Sequence, residues 1–369
     1  MTDFSTAAGV VQQFAIYGEF RDITPYGGGH INDTFMSRWD QAGTVLRYLH
    51  QRINHHVFVH PDRVMENIRR VTAHIREKLR AAGETGWIRR TLTVIPARDG
   101  SLLVRDTDGF YWRTYLFIEH AHTTDVASSA DEVLFLGSSV GYFQKQLADL
   151  GQPRLYDTIP DFHNMEKRYE KFYGAVSADV RGRVKETGAE IAFMKENEQR
   201  GGILVRALRD GRIPERICHN DTKMNNIMID DADCRALCVV DLDTVMPGTS
   251  LFDVGDLIRT AANRVEEDER NLPDPQFDID FFEVLLKGYL SEARDFLTSG
   301  EKALIAESGR NITHIMALRF LTDYLEGDHY YHTSRPDHNL DRCRNQIGLI
   351  RSMDSQWEEA AGRAEKLCR

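Results

Sequence analysis

Within ICHNDTKMNNIMID, residues 217–230, His219, Asp221 and Asn226 stand in the spacing H-x-D-x-x-x-x-N. After a short β-type hairpin comes the run Val239-Val240-Asp241-Leu242-Asp243. An Asp in such a loop can accept the proton of an attacking hydroxyl, and an Asn with a second Asp offers the hard oxygen ligands that Mg2+ takes against the phosphates of ATP. Phosphoryl transfer asks for a positioned nucleophile and for neutralised charge on the β- and γ-phosphates. Asp221 is therefore the candidate catalytic base, and Asn226 and Asp241 are the candidate Mg2+ ligands. The apolar run ALCVV reads as a buried strand that delivers Asp241 rigidly at its end. The plain alternative is that these Asp and Asn only satisfy turn backbone. The spacing by itself arises by chance in about one chain of this length in a hundred, and the second Asp at hairpin distance makes coincidence rarer.

Two adjacent Asn compete for the metal role. Read as the start of a strand, NNIMID turns successive side chains to opposite faces, so one Asn alone can serve, and the spacing from Asp221 selects Asn226. His219 is expected to support the loop by hydrogen-bonding backbone. Asp243, two residues past Asp241, is expected on the same side of the strand end, where it can help bind metal, orient Asp221 or cap the following turn.

YGGGHINDTF, residues 26–35, sets Gly27, Gly28 and Gly29 before a strand-like segment. Glycines let backbone N–H groups approach phosphate oxygens closely, although GGG is also an ordinary loop. No Lys-Ser/Thr pair follows, so this is not a Walker A loop. His30 and Asn32 at the loop tip can face a ligand or stabilise the turn. YLFIEH, residues 115–120, ends the last strand of the first half. A hinge there would offer backbone groups of Phe117, Glu119 and His120 to adenine; an interdomain linker would read the same.

Positioning these groups requires two kinds of structure. The β-type runs FMSRWD, TVLRYLHQRI, TLTVIPA, SLLVRD and FYWRTYLFIEH are separated by AGETG, ARDGS and DTDG. One helix interrupts them, with Val64, Ile68, Val71 and Ile75 at 3-4 spacing after Pro61-Asp62. From about residue 127 the pattern turns helical, through DEVLFLGSSVGYFQKQLADL, NMEKRYEKFYGAV, a run near 187–209, FFEVLLKGYLSEARDFL and EKALIAESGRNITHIMALRFLTDYL. The exception is 217–243, which reads as short strands and loops. The expected fold is α+β in two lobes. Residues 1–120 would form a small β-rich lobe with the glycine loop and hinge, and residues 121–369 a larger helical lobe with the catalytic loop, metal site and substrate pocket.

A chain of 369 residues, 41% hydrophobic and 28% charged, can build a core for both lobes. Its net charge of -11 argues against a nucleic-acid partner, which generally requires a clustered basic surface. Cys218, Cys234, Cys238, Cys343 and Cys368 are odd in number and lack C-x-x-C spacing. They suggest neither a disulfide framework nor a zinc knuckle, and a reducing cytoplasm fits. The first twenty residues lack a basic n-region and a sustained apolar core, and no apolar run reaches bilayer-spanning length, so no membrane partner is expected. A cytoplasmic monomer is the expected state. HHVFVH at 55–60 and HYYH at 329–332 lack a clear third ligand at helical spacing, so zinc is not expected. RVEEDERNLPDPQFDID reads as a solvated loop leading into a helix.

The chain resembles the N-acetylhexosamine 1-kinases, of the aminoglycoside-phosphotransferase-like branch of the protein-kinase-like fold. The matching stretches are YGGGHINDTF, WRTYLFIEH, HNDTKMNNIMID, VVDLDTVMPGTSLFDVGDLIRTAA and ALRFLTDYLEGDHYY, spread over most of its length. The resemblance implies ATP- and Mg2+-dependent phosphorylation of the anomeric hydroxyl of N-acetylglucosamine or N-acetylgalactosamine. It implies that Asp221 is the base, that Asn226 and Asp241 hold Mg2+, and that Arg319 and Tyr330 contact the sugar together with His30 and Asn32. Taken alone, Arg319 reads as a surface ion pair on a helix and Tyr330 as a half-buried core aromatic.

Protein kinases carry a phosphate-binding Lys on the strand that here reads TVLRYLHQRI. No Lys occurs in it, so Arg47, Gln51 or Arg52 must substitute or the site does without, and Glu66 on the following helix lacks its usual partner. Two other readings stay open. One keeps the fold and takes an aminoglycoside, choline, homoserine or another hexose; cationic acceptors call for clustered carboxylates or an aromatic cage. The other is a nucleotide-binding regulator without turnover, against which the complete set Asp221, Asn226 and Asp241 argues.

Overall fold

The structure is a computed structural model and describes residues 4–27, 31–273 and 276–369. Gly28, Gly29 and His30 lie outside the described residues. The chain opens with helix α1 (Phe4–Val11) and the antiparallel meander β1 (Glu19–Pro25), β2 (Asp33–Gln41) and β3 (Thr44–Ile53). Along β2 the alternate residues Phe35, Ser37 and Trp39 are buried, the period-two signature of a sheet with one covered face. Helix α2 (Pro61–Ala81) starts on Pro61, whose missing N–H costs nothing in the first turn. It buries Val64, Ile68, Val71, Ile75 and Leu79, as the 3-4 spacing predicts.

Two of the expected strands are short. TLTVIPA contributes only β4 (Val94–Ile95), ended by Pro96, and SLLVRD only β5 (Val104–Arg105), after which Asp106 Oδ1 accepts the N–H groups of Asp108 and Phe110 and turns the chain. β6 (Tyr111–Leu116) completes a six-stranded antiparallel sheet in the order β1-β2-β3-β6-β4, with β5 also paired to β6.

The C-terminal lobe begins with β7 (Ala121–His122), α3 (Ala130–Leu147), α4 (Met165–Ala178), α5 (Gly188–Gly201) and α6 (Ile203–Arg209). The helical run expected near 187–209 is thus broken at Gly201-Gly202, two residues of poor helix propensity. β8 (Arg216–Cys218), β9 (Ile227–Asp230), β10 (Ala236–Val239) and β11 (Met246–Gly248) follow, and then α7 (Ser250–Ala261), α8 (Ile279–Ala293), α9 (Ser299–Glu326), α10 (His338–Ser355) and α11 (Trp357–Cys368). α9 starts on a capping box in which Thr298 and Glu301 satisfy each other's backbone N–H groups, and it runs through the helical core. Among the described residues no helix is long and apolar enough to cross a membrane.

Two small sheets frame the functional segment. β7 and β10 flank β9, and β8 pairs with β11. The loop carrying Asp221 therefore leaves β8, and the turn carrying Asp241 runs from β10 into β11. Val239, Leu242 and Val245 pack in one core cluster with α2 and Tyr115 of β6, which anchors that turn against the N-terminal lobe.

Candidate active site

The catalytic loop is held by groups well outside the motif. The backbone N–H groups of His219 and Asn220 donate to the carboxylate of Asp253 on α7, at 3.1 and 2.7 Å, and Gln144 of α3 donates to the same carboxylate at 2.9 Å. Asp253 is fully buried, and burial pushes its carboxyl up although His219 and these donors pull the other way. Asn220 adopts φ +65° and directs Nδ2 to the carbonyls of Cys218, Thr244 and Met246. His163 Nε2 donates to the Asn220 carbonyl at 2.8 Å.

His219 braces the loop through both ring nitrogens. Its Nδ1 accepts the Asp221 N–H at 3.2 Å, so Nε2 carries the proton and donates it to the Val240 carbonyl at 2.8 Å. One imidazole thereby ties the loop of Asp221 to the residue before Asp241.

Asn225 and Asn226 lie in a 3-10 turn, Met224–Asn226, and the strand starts only at Ile227. Strand alternation therefore does not separate the two. They part because the turn sends Asn226 Nδ2 to the carbonyl and Oδ2 of Asp221, at 2.8 and 3.1 Å, and Asn225 Nδ2 to Asp125 at 2.7 Å. Lys223 Nζ stands 3.9 Å from Asp221 Oδ2. Burial pushes the Asp221 carboxyl up, yet Lys223, His219, Arg259 and Arg319 outweigh it and hold the group below its ordinary value. A carboxylate so held stays ionised, as a proton acceptor must.

Asp241 has φ +57°, a left-handed conformation that a non-glycine residue adopts at some cost. It opens a 3-10 turn, Leu242–Thr244, so Asp243 does not continue a strand. Burial, then Asp243 and Asp221, push Asp241 up to about 6, an environment that a divalent cation would relieve. The Asn226 carbonyl accepts the Val240 N–H at 2.9 Å, which sets the two candidate ligands side by side. With Nδ2 given to Asp221, Asn226 keeps Oδ1 for a cation. One carboxylate and one amide oxygen, completed by water and phosphate oxygens, suit Mg2+.

Asp243 spends both carboxylate oxygens on the N-terminal lobe. Oδ1 forms an ion pair with the Arg113 guanidinium of β6, and Oδ2 accepts Asn32 Nδ2 at 2.7 Å. Among the described residues no hydrogen bond or ion pair joins it to Asp221, and both its oxygens are engaged by the N-terminal lobe. Asn32 also accepts the Asn54 N–H at 2.9 Å, so its amide ties the end of the glycine stretch to the Asp241–Asp243 turn even though it faces the cavity.

Two cavities meet here. The first is lined by Asn32, Asp221, Lys223, Asp241, Asp243, Arg259, Arg319, Tyr330, Tyr331 and Arg342. Arg319 is buried, donates to the Tyr330 hydroxyl at 3.3 Å, and lies 4.7 Å from the Phe162 ring centroid and 5.4 Å from those of Tyr330 and Tyr331. It is not a surface ion pair. The acidic stretch after α7 is not simply solvated either: Glu267 reaches this cavity and pairs with Arg259, while Asp268 accepts from His338 at 2.8 Å.

The second cavity is mostly apolar, with Tyr26, Leu49, Leu92, Leu116, Phe117, Ile118, Met228 and Val240 in its walls and Gln51, Arg113, His122, Thr123 and Asp241 among its polar residues. Phe117 lines it; Glu119 and His120 do not. The carbonyls of Glu119 and His120 accept from Arg89, His120 also takes the Asp231 N–H, and the Glu119 carboxylate pairs with Arg47. Gly27, at φ +70°, ends the described part of the glycine loop beside Tyr26.

Of the expected replacements for the missing Lys, Gln51 lines both cavities while the two arginines are engaged elsewhere. Arg47 holds Glu119, Arg52 holds Asp33, and Glu66 pairs with Arg69 on the outer face of α2. Sequence reasoning missed Arg113, Lys223 and Asp253. The signals were a charged residue inside the hydrophobic strand YWRTYL, a cation two residues after the candidate base, and an Asp on the buried face of FDVGDL.

A β-rich N-terminal lobe over a helical lobe, with the Asp-x-x-x-x-Asn loop in the cleft between them, is the architecture of protein-kinase-like small-molecule phosphotransferases. The chain belongs to the phosphotransferase enzyme family (APH), whose profile matches residues 22–294. Its fold is similar to that of a microcompartment-associated aminopropanol kinase, with a TM-score of 0.62 and 16% identity over 98% of this chain and 99% of that one. It is also similar to the choline kinase of Cryptosporidium parvum Iowa II (TM-score 0.58, 12% identity, 97% and 98% covered). Spectinomycin phosphotransferase in complex with ADP and spectinomycin gives 0.52 and 13% over 95% and 94%.

Proposed function

We propose that this phosphotransferase moves the γ-phosphoryl group of ATP to the anomeric hydroxyl of an N-acetylhexosamine, giving the sugar 1-phosphate. Asp221 takes the hydroxyl proton as the oxygen attacks, with Oδ2 held by Asn226 and Lys223 so that Oδ1 faces the acceptor. Lys223 offers its ammonium to the transferring phosphoryl oxygens. Asn226 and Asp241 would hold Mg2+, which would supply charge neutralisation to the β- and γ-phosphates. The nucleoside occupies the apolar cavity against Phe117, and Arg319 and Tyr330 donate to sugar oxygens.

One observation carries the acceptor class: Arg319 already fills the aromatic corner of Phe162, Tyr330 and Tyr331. A quaternary ammonium or protonated amine would need those ring faces, and here it would meet a guanidinium on them with Lys223 and Arg342 nearby. The acidic groups do not reverse this, because Glu267 is committed to Arg259. Neutral hydroxyl and acyl oxygens, by contrast, find donors. This favours an acceptor unlike the amino alcohols named for the aminopropanol and choline kinases it resembles in fold.

The test is an ATP-coupled assay over N-acetylglucosamine, N-acetylgalactosamine, other hexoses, 1-amino-2-propanol, choline, homoserine and kanamycin, with the phosphorylated position assigned by 31P NMR. The N-acetylhexosamines should give the highest kcat/KM and a 1-phosphate product. Preferential turnover of an amine-bearing acceptor would sink the reading.

A further inference from the structure

We propose that Arg113, delivered from β6 and held by Asp243, makes the cationic contact to the nucleotide phosphates that a strand Lys makes in protein kinases. The inference rests on the reading of the apolar cavity as the nucleoside site.

The two cavities share Gln51 and Asp241 in their walls, so a phosphate chain running from one to the other must pass between these residues. β3 brings Gln51 to that place, where the kinase pattern asks for Lys. Opposite it in the sheet register is Arg113, whose Nε and Nη2 donate to Gln51 Oε1 at 2.9 and 2.7 Å. The guanidinium side chain is 1% exposed and its ion-pair partner Asp243 3%, so the pair is fully withdrawn from solvent. Glu66, which would supply that pair from α2, is instead 38% exposed and bound to Arg69.

A planar fork suits this relay better than an ammonium would. Of its five N–H donors two go to Gln51 and one faces Asp243, which leaves two for phosphate oxygens without releasing either partner. The same pairing gives Asp243, beside Asp241, a partner in the N-terminal lobe. It fixes a cation on the nucleotide side of the metal site and ties the two lobes together across the cleft.

The test measures binding without any acceptor, so it stands apart from the identity of the sugar. In the unaltered protein MgADP should bind far more tightly than adenosine. Arg113→Met combined with Asp243→Asn removes both buried charges together and spares the core an unpaired carboxylate. In that variant the MgADP affinity measured by calorimetry should fall about 10- to 100-fold, as for loss of a charge-assisted contact, while adenosine binding stays unchanged. Asp243→Asn alone should keep most of the preference for MgADP, and Arg113→Lys should restore part of it. An unchanged ratio of MgADP to adenosine affinity, or an equal loss of both, would overturn the proposal. If the double variant does not fold, the Arg113 Nε–H signal of the unaltered protein decides: it should shift with MgADP and not with adenosine, and a signal indifferent to MgADP overturns the assignment. Loss of N-acetylhexosamine turnover as an activity would leave this result untouched.

Discussion

Asp221 and Asn226 are joined by two hydrogen bonds, while Asn225, one residue away, is bonded to Asp125 on the cleft rim. That difference of partners sets the expected outcomes at this scale. Asp221→Asn should leave MgATP binding intact and lower kcat by about 10^2- to 10^4-fold, the usual worth of a positioned general base; steady-state kinetics with parallel nucleotide titration checks it, and unchanged turnover removes Asp221 from the mechanism. Asn226→Ala should weaken Mg2+-dependent activity by at least tenfold more than Asn225→Ala, read as the Mg2+ concentration needed for half-maximal rate. Equal losses would mean that the 3-10 turn does not separate the two amides. That Asp221, Asn226 and Asp241 come together was legible in the sequence because their spacing in one loop and hairpin is local. Arg113 was not. Its partner Asp243 lies 130 residues further on, and no local pattern reports an ion pair closed only when two lobes meet. The bonds of Asn32 to Asp243 and Asn54 were hidden for the same reason, although its place on the cavity wall was within the sequence reading.

Among the helices, α3 and α8 approach so closely that a methyl on Gly288 would overlap the Leu134 carbonyl oxygen, and one on Gly137 that of Leu285. The contact matters to the site because Tyr289 of α8 donates to Gln144 of α3 at 2.6 Å, and Gln144 in turn donates to Asp253, which holds the catalytic loop. Gly174 is the opposite case, a glycine inside α4 whose added methyl would meet open space. The same substitution should therefore change sign between them. Gly288→Ala should destabilise by about 1–3 kcal/mol through overpacking, and Gly174→Ala should stabilise by about 0.5–1 kcal/mol by restricting the unfolded chain. Denaturant titration measures both, and a Gly288→Ala protein as stable as its parent would show that the helices can part freely. α2 was legible from 3-4 spacing, and α3, α8 and α9 fall within the segments whose pattern reads as helix. The short strands β4 and β5 were not, because a run such as SLLVRD reads as a strand whether or not a neighbour exists to pair with it.

At the scale of the whole molecule, burial acts strongly on His50 between Ser37 and Thr114 in the sheet, His163 against the Asn220 carbonyl, and His314 against Tyr169 in the helical core. Burial lowers them to about 3, about 3 and about 4. His50 is the simplest of the three, since burial alone moves it and both ring nitrogens meet hydroxyls. In the unfolded chain it takes a proton near pH 6.5, whereas the folded sheet refuses one until about 3. Between those limits the unfolded state binds more protons, so stability due to His50 is complete above pH 6.5 and is lost as pH falls. Buried carboxyls raised by desolvation, Asp241 among them, work the other way, so the absolute slope is a balance; a variant lacking His50 isolates one side of it. His50→Gln should be less stable than the parent at pH 7.5, because it disturbs the Ser37 and Thr114 bonds. Its deficit should shrink by up to about 1.4 kcal/mol for each pH unit below 6.5. Denaturant midpoints of the two proteins at pH 7.5, 6.5, 5.5 and 4.5 test this. A deficit that stayed constant over that range would mean that His50 titrates alike folded and unfolded, and that the sheet between Ser37 and Thr114 admits charge.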